Sequence, residues 1–165
     1  LSYLVEKKIN IINKVNSIEQ RIIYKGLILI SIISLIKPLR KYEDYVYRAN
    51  AYELLFMRKK AIRILNLSTK QPNFSKEEKS SGFIYLGILY SKTKEFNLAS
   101  DCFHQGLELM VYVNFNYHDN FKKAIETFIK SEDFERANFW LNNLIQRQSY
   151  DYKFKKLGEL EKKVK

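Results

Sequence analysis

The reactive side chains of this chain are few, and their spacing limits what they can do. Cys102 and His104 stand two residues apart, and neither has a partner at the helical spacing of three or four that would let an imidazole draw a proton from the thiol. Cys102 beside Phe103 therefore reads as a small apolar filler, and His104 as a structural histidine. His118 is followed by Asp119, one imidazole beside one carboxylate, which falls short of the ligand set of a zinc site. Gly82 and Gly87 interrupt a helical pattern and do not form a phosphate-cradling loop. No triad or carboxylate pair is suggested by proximity. The expectation is a chain with no catalytic residue, no metal site and no cofactor, and so not an enzyme.

The elements that must position any binding residues can be read from composition and spacing. The 165 residues hold five Gly and two Pro, too few for an all-β fold, which needs a turn signal every ~8–12 residues. Hydrophobic residues at 46% and charged residues at 28% are globular composition. A single cysteine excludes an internal disulfide and points to an intracellular, cytoplasmic chain. The apolar run 26–36 is bounded by Lys25 and by Lys37 and Pro38, short of the ~20 residues that span a bilayer, so a buried helix and no membrane contact are expected. The chain starts at Leu1, which suggests a fragment or a processed protein.

An internal repeat organises the rest. Ala61, Ala99 and Ala137 stand 38 residues apart. Tyr52, Tyr90 and Phe128 precede them by nine, and Tyr45, Phe83 and Phe121 precede those by seven. Leu65, Phe103 and Leu141 follow the alanines by four, and Ala49, Gly87 and Ile125 stand three before the middle aromatics. Offsets of three and four place such residues on one helical face, and the small ones let a second helix approach. Each copy therefore predicts an antiparallel helix pair, with turns around Met57-Arg58-Lys59, Thr93-Lys94-Glu95 and Ser131-Glu132-Asp133. Ser75-x-x-Glu78 predicts a capping box, and Val113 to Tyr117, with Asn114 and Asn116, predicts a loop. Ser17-x-x-Gln20 divides the N-terminal region into helices over about 1–15 and 18–36. Residues 150–164 predict a last helix with Tyr152, Leu157, Leu160 and Val164 facing inward. The expected organisation is an N-terminal helix pair over 1–41, three degenerate repeats over 42–149 and a capping helix over 150–165, about nine helices in all.

The pattern resembles the tetratricopeptide repeat family. The middle copy, Phe83-x-x-Leu86-Gly87-x-x-Tyr90 followed by Ala99-x-x-x-Phe103, matches well. The first departs at Arg48, where the family has Leu, and the third at Ile125, where it has a small residue. The resemblance implies an all-α, right-handed superhelix of antiparallel helix pairs, an α-solenoid, that binds a peptide or protein in its concave groove. The long period and the Lys-, Asn-, Ile- and Tyr-rich chain further resemble the bacterial peptide-pheromone receptors of the Rap, NprR and PlcR group. That resemblance implies the sensing domain of a peptide-responsive transcriptional regulator, as in quorum sensing, with an effector part upstream.

First helices line the groove of stacked pairs. Residues one and five positions after each first aromatic are then groove candidates. They are Val46 and Asn50 with Tyr47 and Leu54, Ile84 and Ile88 with Tyr85 and Lys92, and Lys122 and Glu126 with Lys123 and Lys130. Glu53 lies near the first set. Asn50 suits an extended ligand because its amide both donates and accepts, and peptide-binding members of the family often use Asn there. Only Asn50 and Lys123 match the carboxylate clamp of chaperone-binding members, which disfavours a chaperone-tail binder.

The net charge of +11 is diffuse: +6 over 1–41, +3 over 42–79, −1 over 80–117 and +3 over 118–165. With most aromatics assigned to the core, no direct nucleic-acid contact is expected. Two other roles fit the same residues. One is a scaffold or self-association module, a homodimer through Ile22 to Ile36, and the other a toxin-neutralising immunity protein.

Overall fold

The structure, a computed structural model, describes Gly26, Leu29 and residues 31–164. The helix expected over 1–15 and most of the one over 18–36 lie outside these residues. Helical residues 31–36 lead into six α-helices: α1 (Tyr42–Leu54), α2 (Arg58–Thr69), α3 (Lys76–Lys92), α4 (Phe96–Glu108), α5 (Asp119–Lys130) and α6 (Phe134–Gln146). Two 3-10 segments follow, Arg147–Ser149 and Tyr152–Lys163. The described residues are all-helical and contain no strand. Each helix packs on the next in sequence, α5 also packs on α3, and the last segment covers α5 and α6.

The 38-residue period reappears in the backbone. Phe56, Lys94 and Glu132 are the non-glycine residues with positive φ among the described residues, at 61°, 64° and 59°. After each, an N–H closes back on the carbonyl of the middle aromatic: Met57 on Tyr52 at 2.8 Å, Glu95 on Tyr90 at 3.0 Å and Asp133 on Phe128 at 2.9 Å. These are the bonds of a Schellman ending, which satisfies carbonyls left open at a helix C-terminus. The first turn thus spans Leu55–Met57, two residues before the expected Met57-Arg58-Lys59, in step with the other two. Glycine is the usual residue at a left-handed helix end, and its absence here is costly. The left-handed conformation costs an L-residue roughly 1–2 kcal/mol, and glycine gives part of that back through its larger unfolded entropy. Lys94→Gly and Glu132→Gly should each therefore raise stability by about 0.5–1 kcal/mol, seen as a higher urea midpoint. A lower midpoint would argue that these side chains hold the turns themselves.

Ala49, Ala61, Leu65, Leu86 and Leu89 form one buried cluster. A larger one runs from Ala99 and Phe103 through Phe128 and Trp140 to Leu160, and Tyr90 packs on both. The residue in the small column sets how intimately each pair packs. The Gly87 pair, α3 and α4, is in the most extensive contact, the Ala49 pair, α1 and α2, is next, and the Ile125 pair, α5 and α6, is the least close. A methyl built on Gly87 would lie 2.8 Å from the Phe103 ring, so only glycine admits that ring.

Two expectations change in detail. The last segment is 3-10, not α, and it buries Phe154, Leu157 and Leu160. That spacing of three suits a helix of three residues per turn. Tyr152, expected inside, is 77% exposed, and Phe154 takes its place. Arg48, the departure from the family pattern, has a local purpose. Its Nε donates to the Ser34 carbonyl at 2.9 Å, and its Nη2 donates to the Lys37 carbonyl. It closes the C-terminal end of the 31–36 helix, where a cation is favourable. Asp44 secures the same joint from α1, accepting the Arg40 and Lys41 N–H groups at 3.1 and 3.0 Å and pairing with Lys37. Among the described residues no helix is long and apolar enough to cross a membrane.

Candidate functional site

The reactive residues singled out in the sequence have structural surroundings. Cys102 is half-buried, and burial pushes its thiol up to about 12, the opposite of a nucleophile's shift. His104 Nδ1 accepts the buried Trp140 indole N–H at 3.0 Å. His118 begins α5, its Nδ1 accepting the Asn120 N–H at 3.1 Å. Among the described residues no group of three or more His, Cys, Asp or Glu could hold a metal ion.

The polar cluster between α1 and α3 is different in kind. The Tyr85 hydroxyl donates to Glu53 Oε2 at 2.9 Å and sits against Asn50 Oδ1. Lys92 pairs with Glu53 Oε1. The hydroxyl has one proton, so it can serve only one of its two acceptors at a time. Burial works to raise the Glu53 carboxyl, but the hydrogen bonds from Lys92 and Tyr85 outweigh it and hold the carboxyl below its ordinary range. Burial and then Glu53 raise the Tyr85 hydroxyl far above its ordinary value. The cluster is thus Lys⁺, carboxylate⁻, neutral phenol and amide, with Asn50 and Lys92 at the exposed rim.

Around it, Val46 is half-buried, Tyr47 is exposed, and Leu54 is exposed at the end of α1. Ile84 is half-buried and leans over Gly106, where a methyl would meet its side chain at 3.0 Å. Ile88 is half-buried against the larger core cluster. Beside Ile84 opens a cavity of about 220 Å³, lined by Ser80, Met110, Phe115, His118 and Phe121 among others. It is small and mostly apolar, the size of a socket for one side chain rather than for a cofactor.

The α5 candidates stand apart from the Asn50 cluster. Lys122 pairs with Glu159 of the last segment, whose hydrogen bond raises the ammonium above its ordinary value. Lys123 is exposed, 3.5 Å from Asn120 Oδ1, and Glu126 is half-buried. Lys130 is exposed and lies 5.7 Å above the Phe96 ring, on the rim of a wide cleft along the second and third turns. Of the expected groove residues, the structure brings Asn50, Tyr85 and Lys92 together and places Ile84 beside the socket.

Glu53, the hub of the cluster, enters the sequence reading only as a neighbour of the Asn50 set, with no partner assigned to it. The signal that finds it is the period: Glu53 and Lys92 are 39 residues apart, one repeat plus one. Comparison with family models, with curated proteins and with solved structures finds no match for this chain.

Proposed function

We propose that this chain is a non-enzymatic helical-repeat module that binds an extended peptide or protein segment along the face of its first helices. The observation that carries the reading is the Asn50–Glu53–Tyr85–Lys92 cluster. It joins two successive first helices at the surface through groups that can both donate to and accept from a peptide backbone. The neighbouring socket beside Ile84 would take one apolar side chain, and the exposed Lys123 and Lys130 would attract the ligand's carboxylate end. In this reading the helix pairs continue as a right-handed superhelix, and the ligand is a signalling peptide sensed inside the cell by a transcriptional regulator. That finer part rests on the resemblance to peptide-pheromone receptors.

The test is selection from a random-sequence peptide display library, followed by calorimetry with the enriched peptide. Asn50→Ala combined with Lys92→Ala should weaken binding by about 10–100-fold, or roughly 1.4–2.8 kcal/mol. Lys123→Glu should weaken it further, all with unchanged helicity. If no peptide is enriched, or if affinity survives these changes, the proposal is wrong.

A further inference from the structure

The walls of the cavity beside Ile84 are held from behind, not by anything inside it. Ile84 leans over Gly106, which has no Cβ to push it away: a methyl there would lie 3.0 Å from the Ile84 side chain. The buried Ser80 hydroxyl donates to the Gly106 carbonyl at 2.7 Å and ties α3 to α4 at the same level. Across the cavity the Phe115 and Phe121 rings pack with centroids 5.0 Å apart. The Arg147 guanidinium backs Phe115 at 4.1 Å from its centroid, and the Tyr117 N–H pins the same stretch by donating to Asp151 at 2.8 Å. Leu107 and Met110 complete the lining, and exposed Glu77, Ser81 and His118 surround the mouth. Protein interiors leave few voids larger than a water molecule, so a preformed hole of about 220 Å³ at the surface is suited to a ligand group.

The chemistry of the lining narrows the occupant. An apolar cavity of roughly 150 Å³ holds benzene, so this one has room for a ring with a second ring fused to it. The two phenyl walls and the Met110 thioether favour an aromatic occupant through ring-edge and sulfur–aromatic contacts. A cation is disfavoured, because the Arg147 guanidinium already lies against Phe115. A carboxylate is disfavoured by the Glu77 carboxylate at the mouth. The mouth is also polar in a directional way. His118 Nδ1 accepts the Asn120 N–H, which leaves the ring proton on Nε2 as a donor, while Glu77 is an acceptor. An indole N–H meets that acceptor, and the backbone carbonyl next to it meets that donor. We propose that the cavity is an anchor socket for one neutral indole, a tryptophan side chain of the ligand. Placing that tryptophan in an extended peptide rests on the peptide-binding reading; the socket's choice of ring does not.

The experiment is amide NMR of the full chain titrated with N-acetyltryptophanamide, whose blocked ends carry no charge. Resonances of residues 77–84, 106–110 and 115–121 should shift together and saturate, with a dissociation constant on the order of 1 mM. N-acetylleucinamide should bind about fivefold more weakly. Ser81 is exposed at the mouth, so Ser81→Trp should fold normally, seat its own ring in the socket and abolish the shifts. Met110→Ala, which takes away one wall, should weaken the tryptophan probe by about fivefold. The proposal is overturned by an absence of shifts at about 10 mM probe, by shifts confined to other segments, or by equal binding of the leucine probe. Undiminished binding by the two variants overturns it as well. The peptide library separates it from the wider reading. If the indole probe binds here but no peptide is enriched, the socket stands and the peptide reading falls. If enriched peptides bind without an aromatic residue, the socket proposal falls and the peptide reading stands.

Discussion

Phe103→Ala is expected to remove about 3–5 kcal/mol of stability, the usual cost of emptying a fully buried aromatic site. Against a total of roughly 5–15 kcal/mol for a domain, that is enough to leave much of the chain unfolded near body temperature. Phe103 is 0% exposed and presses its ring against Gly87, so its loss opens the joint between α3 and α4. Gly87→Ala tests the same contact from the other side. Helix propensity alone favours alanine by about 1 kcal/mol. The new methyl, however, meets ring atoms at 2.8 to 2.9 Å, and a buried ring cannot swing away as a flexible side chain can. Overpacking of this kind costs about 1–3 kcal/mol, so the single variant should be less stable than the wild type. In the Phe103→Ala background the same substitution fills vacated space, and its sign should reverse to a gain of about 1 kcal/mol. Urea denaturation of the four chains measures the cycle. Additive changes, or a stabilising Gly87→Ala alone, would contradict the idea that this glycine is there to admit the ring.

The helix pairs were legible because their signal is local. Aromatic and small residues recur at helical offsets within each copy, and three copies repeat the same columns. Ala49, Ala61, Leu65, Phe103, Ala99, Ile125, Phe128, Ala137 and Leu141 all lie in the buried clusters. The turns were legible in position for the second and third copies, where polar residues mark them. In the first copy Leu55-Phe56-Met57 carries no such mark, and only the spacing of its partners locates it. In the last segment an α-period places Tyr152 inside, and the 3-10 backbone does not follow that period. Its apolar residues at 154, 157 and 160 fit a three-residue turn better, which turns Tyr152 outward.

Side-chain partners across repeats were harder to see, and the reason is arithmetic. Tyr85 meets Asn50 and Glu53 at separations of 35 and 32, Lys92 meets Glu53 at 39, and Trp140 meets His104 at 36. Arg136 reaches Asp101 at 35 and Ser100 at 36. All but the Tyr85–Glu53 pair, which is six short, lie within three residues of the 38-residue period. Such pairs are neighbours only because two copies stack side by side, so each residue looks unremarkable within its own copy. Reading the chain against itself, shifted by one repeat, would have paired Glu53 with Lys92. Arg48 shows the converse: it breaks the repeat pattern because its guanidinium closes the end of the helix before α1.

Arg147 is the cross-repeat residue with the most to lose. It is 8% exposed and, among the described residues, has no carboxylate partner. Its charge is met by carbonyl dipoles instead. Nη2 donates to Val111 O and Nη1 to Val113 O, each at 2.7 Å; Nη1 also donates to the Tyr150 hydroxyl at 3.0 Å. The guanidinium stacks 4.1 Å from the Phe115 ring centroid. This fork holds the segment between α4 and α5, and that segment carries Phe115 and His118 into the wall of the socket beside Ile84. Lysine offers one point charge and no planar face, so it cannot serve both carbonyls and the ring together. Arg147→Lys should therefore cost about 2–3 kcal/mol, the loss of hydrogen bonds from a charged donor together with partly stranded carbonyls. Amide exchange should quicken across residues 111–118 while α1 and α2 stay protected, because those helices share no contact with the fork. In the peptide-binding reading, affinity should fall as well, although Arg147 touches no ligand. A lysine variant with wild-type stability and unchanged exchange in that segment would mean the loop is held by Phe115 and Tyr117 packing alone, and the guanidinium would then have no positioning role.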